Sequence, residues 1–144
     1  MAVEPVVLDA VDREILSVLS KDGRIPWQTL GDRVHLSANA AADRARRLMR
    51  RGVITGYGAR VDQAALGRTL EAVVEVRALD SRRFEAGALE RNEVTSLTVV
   101  TGRFDYQVQV ACEGTAGLDE LLRWFKSELS VVESLTTVIL GRLR

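Results

Sequence analysis

The chain has 144 residues, room for one domain or two small ones, and its 47% hydrophobic, 28% charged composition excludes a disordered or fibrous protein. No apolar run approaches the ~18 residues of a membrane span, and MAVEPVVLDAVDRE lacks a basic-then-apolar export segment, so a cytoplasmic protein with no membrane partner is expected. A single cysteine, Cys112, and a single histidine, His35, exclude a disulfide framework and the commoner zinc cages; with no P-loop and no Ser-His-Asp set, no cofactor is expected.

Leu8, Val11, Ile15, Val18 and Leu19 recur at helical spacing, with Asp9 as N-cap and Asp22-Gly23 as the stop. A second helix opens near Pro26, carries Leu30 and Val34 inward, and ends at His35. Ser37 can cap a third helix that runs to Arg51 and stops at Gly52, with Ala41, Ala45, Leu48 and Met49 as its apolar stripe. Trp27 is expected in this core. Residues 53–61 then read as strand, with Gly56 and Gly58 marking a turn or bulge.

Residues 63–68 read as a linker. The remainder reads β-α-β-β-α-β: strands at 69–77, 94–100, 104–112 and 133–140, helices at 81–91 and 117–129. That order is the ferredoxin-like arrangement. The expected fold is therefore α+β, a winged helix-turn-helix over 1–62 followed by a ferredoxin-like domain over 69–144. Two helices cover one sheet face, and a second copy of the chain is the simplest cover for the other. Trp124 and Phe125 share a helix, so only one points straight at the sheet, and Cys112 reads as a small buried hydrophobe.

Equal numbers of charges conceal an asymmetry. Residues 36–60 hold six arginines against Asp43 alone, while residues 63–144 hold 10 basic and 12 acidic residues, which points to a localised anionic partner. The third helix suits a DNA major groove. Its first turn holds Ser37, Ala38 and Asn39, small or polar side chains that permit close approach; Asn39 suits an adenine edge. Arg44, Arg47 and Arg51 share one face and Arg46 and Arg50 a neighbouring one, so phosphates on either side of a groove can be neutralised. Asp43 can accept from a cytosine amine or pair with Arg47 at i+4. The rival reading is an ordinary solvated helix face.

Gly102-Arg103-Phe104-Asp105-Tyr106 falls in the tight turn between the two middle strands. Arg103 offers a carboxylate fork, Asp105 an ammonium partner, and Phe104 and Tyr106 apolar walls, the parts an α-amino acid would need. An ordinary hairpin with a surface Arg-Asp pair and two core aromatics fits the same residues. Thr136 and Thr137 on the last strand are candidate hydroxyl contacts.

Leu8-Asp9, Asp12 and Ile15-Leu16, then Asp22-Gly23-Arg24, Leu36-Ser37 with Arg44 and Leu48, Gly52-Val53-Ile54 with Gly56-Tyr57, and Val61-Asp62 with Leu66-Gly67 resemble the Lrp/AsnC (feast/famine, leucine-responsive) family of transcriptional regulators. The likeness runs over nearly the whole chain. It implies that the third helix reads double-stranded DNA and that the C-terminal half is a dimerising, amino-acid-sensing domain. It also places Gly102, Arg103, Phe104 and Asp105 in an effector cleft between subunits of a homodimer, with tetramer and octamer as open higher states. Ala38 stands where that family commonly has proline, Ala41 where it has valine, Asp43 where it has a basic or polar residue, and Leu135 where its last strand often has arginine. Two rivals are a tetrapyrrole enzyme resembling the siroheme decarboxylases, disfavoured by the absence of histidine in the C-terminal half, and a metabolite sensor without DNA binding, disfavoured by the arginine block.

Overall fold

Asp9 starts the first helix in a reciprocal way. Its carboxylate accepts from the Asp12 amide at 2.7 Å while the Asp12 carboxylate accepts from the Asp9 amide at 3.4 Å, a capping box opening α1 (Ala10–Leu19). The structure, a computed structural model, describes residues 6–141. Two compact units divide the chain between Ala59 and Arg60.

In the first unit, Pro26 precedes α2 (Trp27–Val34), which ends on His35 in the left-handed region at φ 56°. Ser37 Oγ then accepts from the Ala40 amide at 3.2 Å to open α3 (Ala38–Arg50). Ile15, Leu30, Val34, Ala41, Ala45 and Leu48 form the core. The α2–α3 turn is tight enough that a Cβ at Gly31 would lie 2.6 Å from the Leu36 carbonyl oxygen, so only glycine fits. Trp27 does not join this core as expected: it is the first residue of α2, outside the buried cluster, and is 38% exposed.

The strand-like run at 53–61 also departs from expectation, because no strand forms there within this chain. The Val53 and Ile54 amides both donate to the Leu48 carbonyl, at 2.9 and 3.2 Å. They close the end of α3 and pack against the helical core, which removes them from any ladder.

The second unit opens with a short 3-10 turn at Ala64–Leu66. There β1 (Leu70–Ala78), α4 (Ser81–Glu90), β2 (Val94–Val99), β3 (Tyr106–Cys112), α5 (Gly114–Glu128) and β4 (Val131–Ile139) follow the expected order, and the antiparallel sheet runs β2-β3-β1-β4. Val74 lies between Val108 and Thr136, and Val76 between Tyr106 and Ser134. Ala72, Val74, Val76, Val108 and Val110 pack under Phe84, Leu121 and Phe125. Phe84 meets Tyr106 at 4.8 Å and Phe125 edge-on at 5.6 Å between ring centres. Phe125 is the buried member of its pair, and Trp124 lies partly buried beneath the Arg91 guanidinium at 4.9 Å. The opposite face presents Val73, Glu75, Arg77, Gln107, Gln109, Leu135 and Thr137, while α4 and α5 both pack on the first. Cys112 is buried, and burial pushes its thiol pKa up, with the Glu93 carboxylate adding to the shift. Among the described residues no helix is long and apolar enough to cross a membrane.

Candidate functional site

Helix α3 sorts its arginines by side. Ala41, Ala45 and Leu48 face the core, and with α1 packed alongside, Arg44 is drawn back onto that helix. Its guanidinium lies 2.6 Å from the Asp9 carboxylate and 2.9 Å from that of Asp12, whose side chain is only 3% exposed. Arg47 reaches the same Asp12 oxygen at 3.4 Å. The Arg44 hydrogen bond, followed by the Asp12 amide, holds the Asp9 carboxyl below its ordinary pKa.

This revises the expectation that Arg44 stands on an open face with Arg47 and Arg51. A buried carboxylate needs a cation, and Arg44 supplies it. The signal for it was present: Asp12 sits three and seven residues before Ile15 and Leu19, on the core side of α1. Pattern reading gives Asp9 only as an N-cap and misses both it and Asp12 as partners of Arg44.

The outward side of α3 holds Asn39, Asp43, Arg46 and Arg50, all exposed. Asp43 pairs with Arg46 at 2.8 Å rather than with Arg47. Among the described residues Arg50 and Arg51 have no acidic partner. Ser37 is exposed and Ala38 half-buried at the helix start, and the Ser37 hydroxyl is already engaged as the cap.

In the second unit the Gly102–Tyr106 segment is built by its backbone. The Asp105 amide donates to the Val76 carbonyl and the Asp105 carbonyl accepts from the Val100 amide, each at 2.9 Å. The strand therefore begins at Tyr106, and Phe104, read as strand, is a buried turn residue. Gly102 has φ 120°, a conformation side chains rarely adopt.

Arg103 does not pair with Asp105. It binds Glu133, with Nε at 2.8 Å from the carboxylate, and lies over the Phe104 ring at 5.4 Å. Arg77 also reaches Glu133, at 3.4 Å, and donates to the Arg103 carbonyl. The half-buried Asp105 carboxylate accepts from the Ala78 amide at 3.2 Å and keeps further acceptor capacity. Tyr106 is buried and its hydroxyl donates to Glu85 at 2.8 Å; burial raises its pKa, and Glu85 raises it further while Ser81 pulls it down.

The two threonines are not gathered here within one chain. Opposite Val76 and Arg77, β4 places Ser134 and Glu133. Thr137 is four residues farther along, about 13 Å at strand rise, and Thr136 points to the other face.

Residues 8–49 match the AsnC-type helix-turn-helix domain and residues 71–144 match the Lrp/AsnC ligand binding domain. The chain belongs to the Lrp/AsnC family. It is 37% identical to the HTH-type transcriptional regulator LrpA of Mycobacterium tuberculosis over 137 residues, covering 93% of this chain and 91% of that one. It is 36% identical to the leucine-responsive regulatory protein of Salmonella typhimurium over 120 residues, 80% and 73% of the two chains. Among solved structures, a feast or famine regulatory protein of M. tuberculosis complexed with L-methionine superposes with a TM-score of 0.86 at 33% identity, covering 96% of this chain and 95% of that one. Like these relatives, this Lrp/AsnC member is a transcriptional regulator that joins a DNA-binding helix-turn-helix to a ligand-binding domain.

Proposed function

We propose that α3 reads the major groove of duplex DNA, that the chain works in the cytoplasm as a homodimer or a higher assembly of dimers, and that an amino acid bound in the second unit sets its activity. The observation carrying this is the sorted arginine helix, with Arg46 and Arg50 outward and Arg51 free beside them while Arg44 anchors the rod. In a dimer, two such helices would meet successive grooves of a roughly palindromic site. Phosphate neutralisation by Arg47, Arg50 and Arg51 gives the salt-dependent part of affinity, and Ser37, Ala38 and Asn39 let the helix start approach the bases.

The Gly102–Tyr106 turn supplies the effector chemistry. Asp105 has acceptor capacity for an ammonium, and Gly102 leaves space for a close approach. Arg103 takes the ligand carboxylate only by leaving Glu133, so ligand entry would exchange an internal ion pair for a ligand-bound one. A second copy over the open sheet face would bring Thr137 of the partner subunit toward this turn, whereas Thr136, on the helix-covered face, would stay turned away. An effector favouring one of two subunit arrangements then shifts the spacing of the DNA-reading helices.

The deciding experiment pairs a mobility shift on the chain's own upstream DNA with a thermal-shift screen of the amino acids. Arg50→Ala should weaken binding and lower the salt slope by ~0.9 per lost phosphate contact. Asp105→Asn should remove amino-acid-induced stabilisation and leave DNA binding in place. An unchanged slope would take α3 off the DNA, and a retained ligand response would take Asp105 out of the effector site.

A further inference from the structure

The outward stripe of α3 contains one acid where a polyanion is to be met. At 3.6 residues per turn, Asn39, Asp43, Arg46 and Arg50 fall within an arc of about 60°, opposite Ala41, Ala45 and Leu48. Asp43 is the sole acid between residues 36 and 60. Set among phosphates it repels, so its place on this stripe needs a donor to meet.

The geometry supplies half of that donor set. Asp43 and Arg46 are bonded at 2.8 Å with side chains 75% and 59% exposed, and no other hydrogen bond reaches Asp43 among the described residues. An exposed pair at this spacing contributes little to stability. Arg44 and Arg47, by contrast, are drawn toward Asp12 and away from the stripe.

We propose that Asp43 and Arg46 form a paired base reader that selects a G·C base pair, an inference that rests on α3 being the DNA-reading helix as set out above. Guanine shows two acceptors in the major groove, N7 and O6, which the arginine fork fills; its cytosine partner shows the N4 amine, which a carboxylate accepts. Asp43 holds one guanidinium nitrogen and so aims the fork, leaving its remaining lone pairs for the cytosine. An A·T pair mismatches twice: the adenine amine faces the guanidinium and the thymine O4 faces the carboxylate. A phosphate approaching Arg46 meets the Asp43 charge, so the pair also withholds Arg46 from unselective binding.

The test is selection from a random-sequence duplex library, followed by titration of the selected duplex, its G·C-to-A·T derivative and random duplex at two salt concentrations. The wild-type chain should select a site holding a G·C pair whose replacement weakens binding about tenfold or more. Asp43→Ala should lose that preference, bind random duplex more tightly, and steepen the salt slope by ~0.9 as Arg46 takes a phosphate. Arg46→Ala should lose the same preference without the gain on random duplex. Glu14→Ala removes an exposed acid from α1 instead and should select the wild-type site. If Asp43→Ala selects the wild-type site unchanged, or Glu14→Ala reproduces its effects, the reader is overturned while α3 remains a DNA helix. A wild-type chain that binds every duplex alike overturns the reader too, and one that binds no duplex overturns the DNA-reading role with it.

Discussion

Where the sheet unit fills its core with Phe84, Tyr106 and Phe125, the helical unit has no aromatic in its own among the described residues and packs Ile15, Leu30, Val34 and Leu48 around Ala41 and Ala45. Alanines let α3 lie close against its neighbours but remove little apolar surface from water. The helical unit makes up the difference with directed polar contacts: a capping box, a serine cap, and the Asp9/Asp12–Arg44 clamp. The sheet unit keeps its ion pairs at the periphery, as with Arg103 and Glu133. The difference teaches that the two units answer to different substitutions, although they share one chain.

Truncation of an aromatic should hurt the sheet unit most. Phe84 is fully buried against Tyr106 and Phe125, so Phe84→Ala should cost about 4 kcal/mol. In the helical unit the matching loss should come from a charge. Asp12 is buried under Arg44 and Arg47, so Asp12→Ala should cost about 2 kcal/mol by removing the capping-box acceptor and leaving Arg44 on Asp9 alone. Each unit holds one tryptophan, Trp27 and Trp124. Urea unfolding in Trp124→Phe and Trp27→Phe backgrounds therefore reads the units separately. If Asp12→Ala leaves the Trp27 transition in place, the clamp is ornamental and the comparison breaks.

Much of this was legible from residue order alone, and what was not has physical reasons. Asp9 and Ser37 are caps by chemistry, and the helix-side valines of β1 and β3 alternate at period two, so helices and sheet followed. Phe104 misled because an apolar residue beside a strand reads as strand, whereas the Asp105 amide and carbonyl fix it in a turn. Residues 53–61 misled because Val53, Ile54, Thr55 and Tyr57 report strand propensity, and a strand also needs a partner. The arginines misled most. Spacing tells which residues share a helix face but not what stands opposite, and Arg44 is decided by Asp12 on another helix. In the Gly102–Tyr106 turn, the rival hairpin reading pairs Arg103 with Asp105 by proximity in sequence, while the sheet sets Arg103 against Glu133, thirty residues away.

The same clamp should be visible in acid. Arg44 holds the Asp9 carboxyl below its ordinary pKa, so the unfolded chain binds that proton more readily. The stability it contributes is present above the unfolded-state value, near pH 4, and is lost as pH falls toward the folded one. Asp9→Asn keeps an N-cap acceptor but not the charge. Its Trp27 urea midpoint should lie below wild type at neutral pH and converge with it in acid. Parallel curves would mean that Arg44 is held by Asp12 alone.

The smallest effects should come from a strain the two units share. His35 and Ser130 are the non-glycine residues at positive φ among those described, at 56° and 55°. Such a conformation costs an ordinary side chain about 1 kcal/mol, part of which glycine returns through a more flexible unfolded chain. His35→Gly and Ser130→Gly should each gain about 0.5 kcal/mol, a rise of roughly 2–4 °C if the unit melts alone. The gain should appear in the Trp27 transition for the first and the Trp124 transition for the second. His35 ends α2, its amide donating to the Gly31 carbonyl, and leads into the turn to α3; Ser130 opens β4, its carbonyl accepting from the Leu79 amide at 3.1 Å. Both bonds use backbone atoms that glycine retains, so the substitutions isolate the strain. A loss at position 35 with a gain at 130 would show that the imidazole makes a contact of its own in the turn ahead of α3.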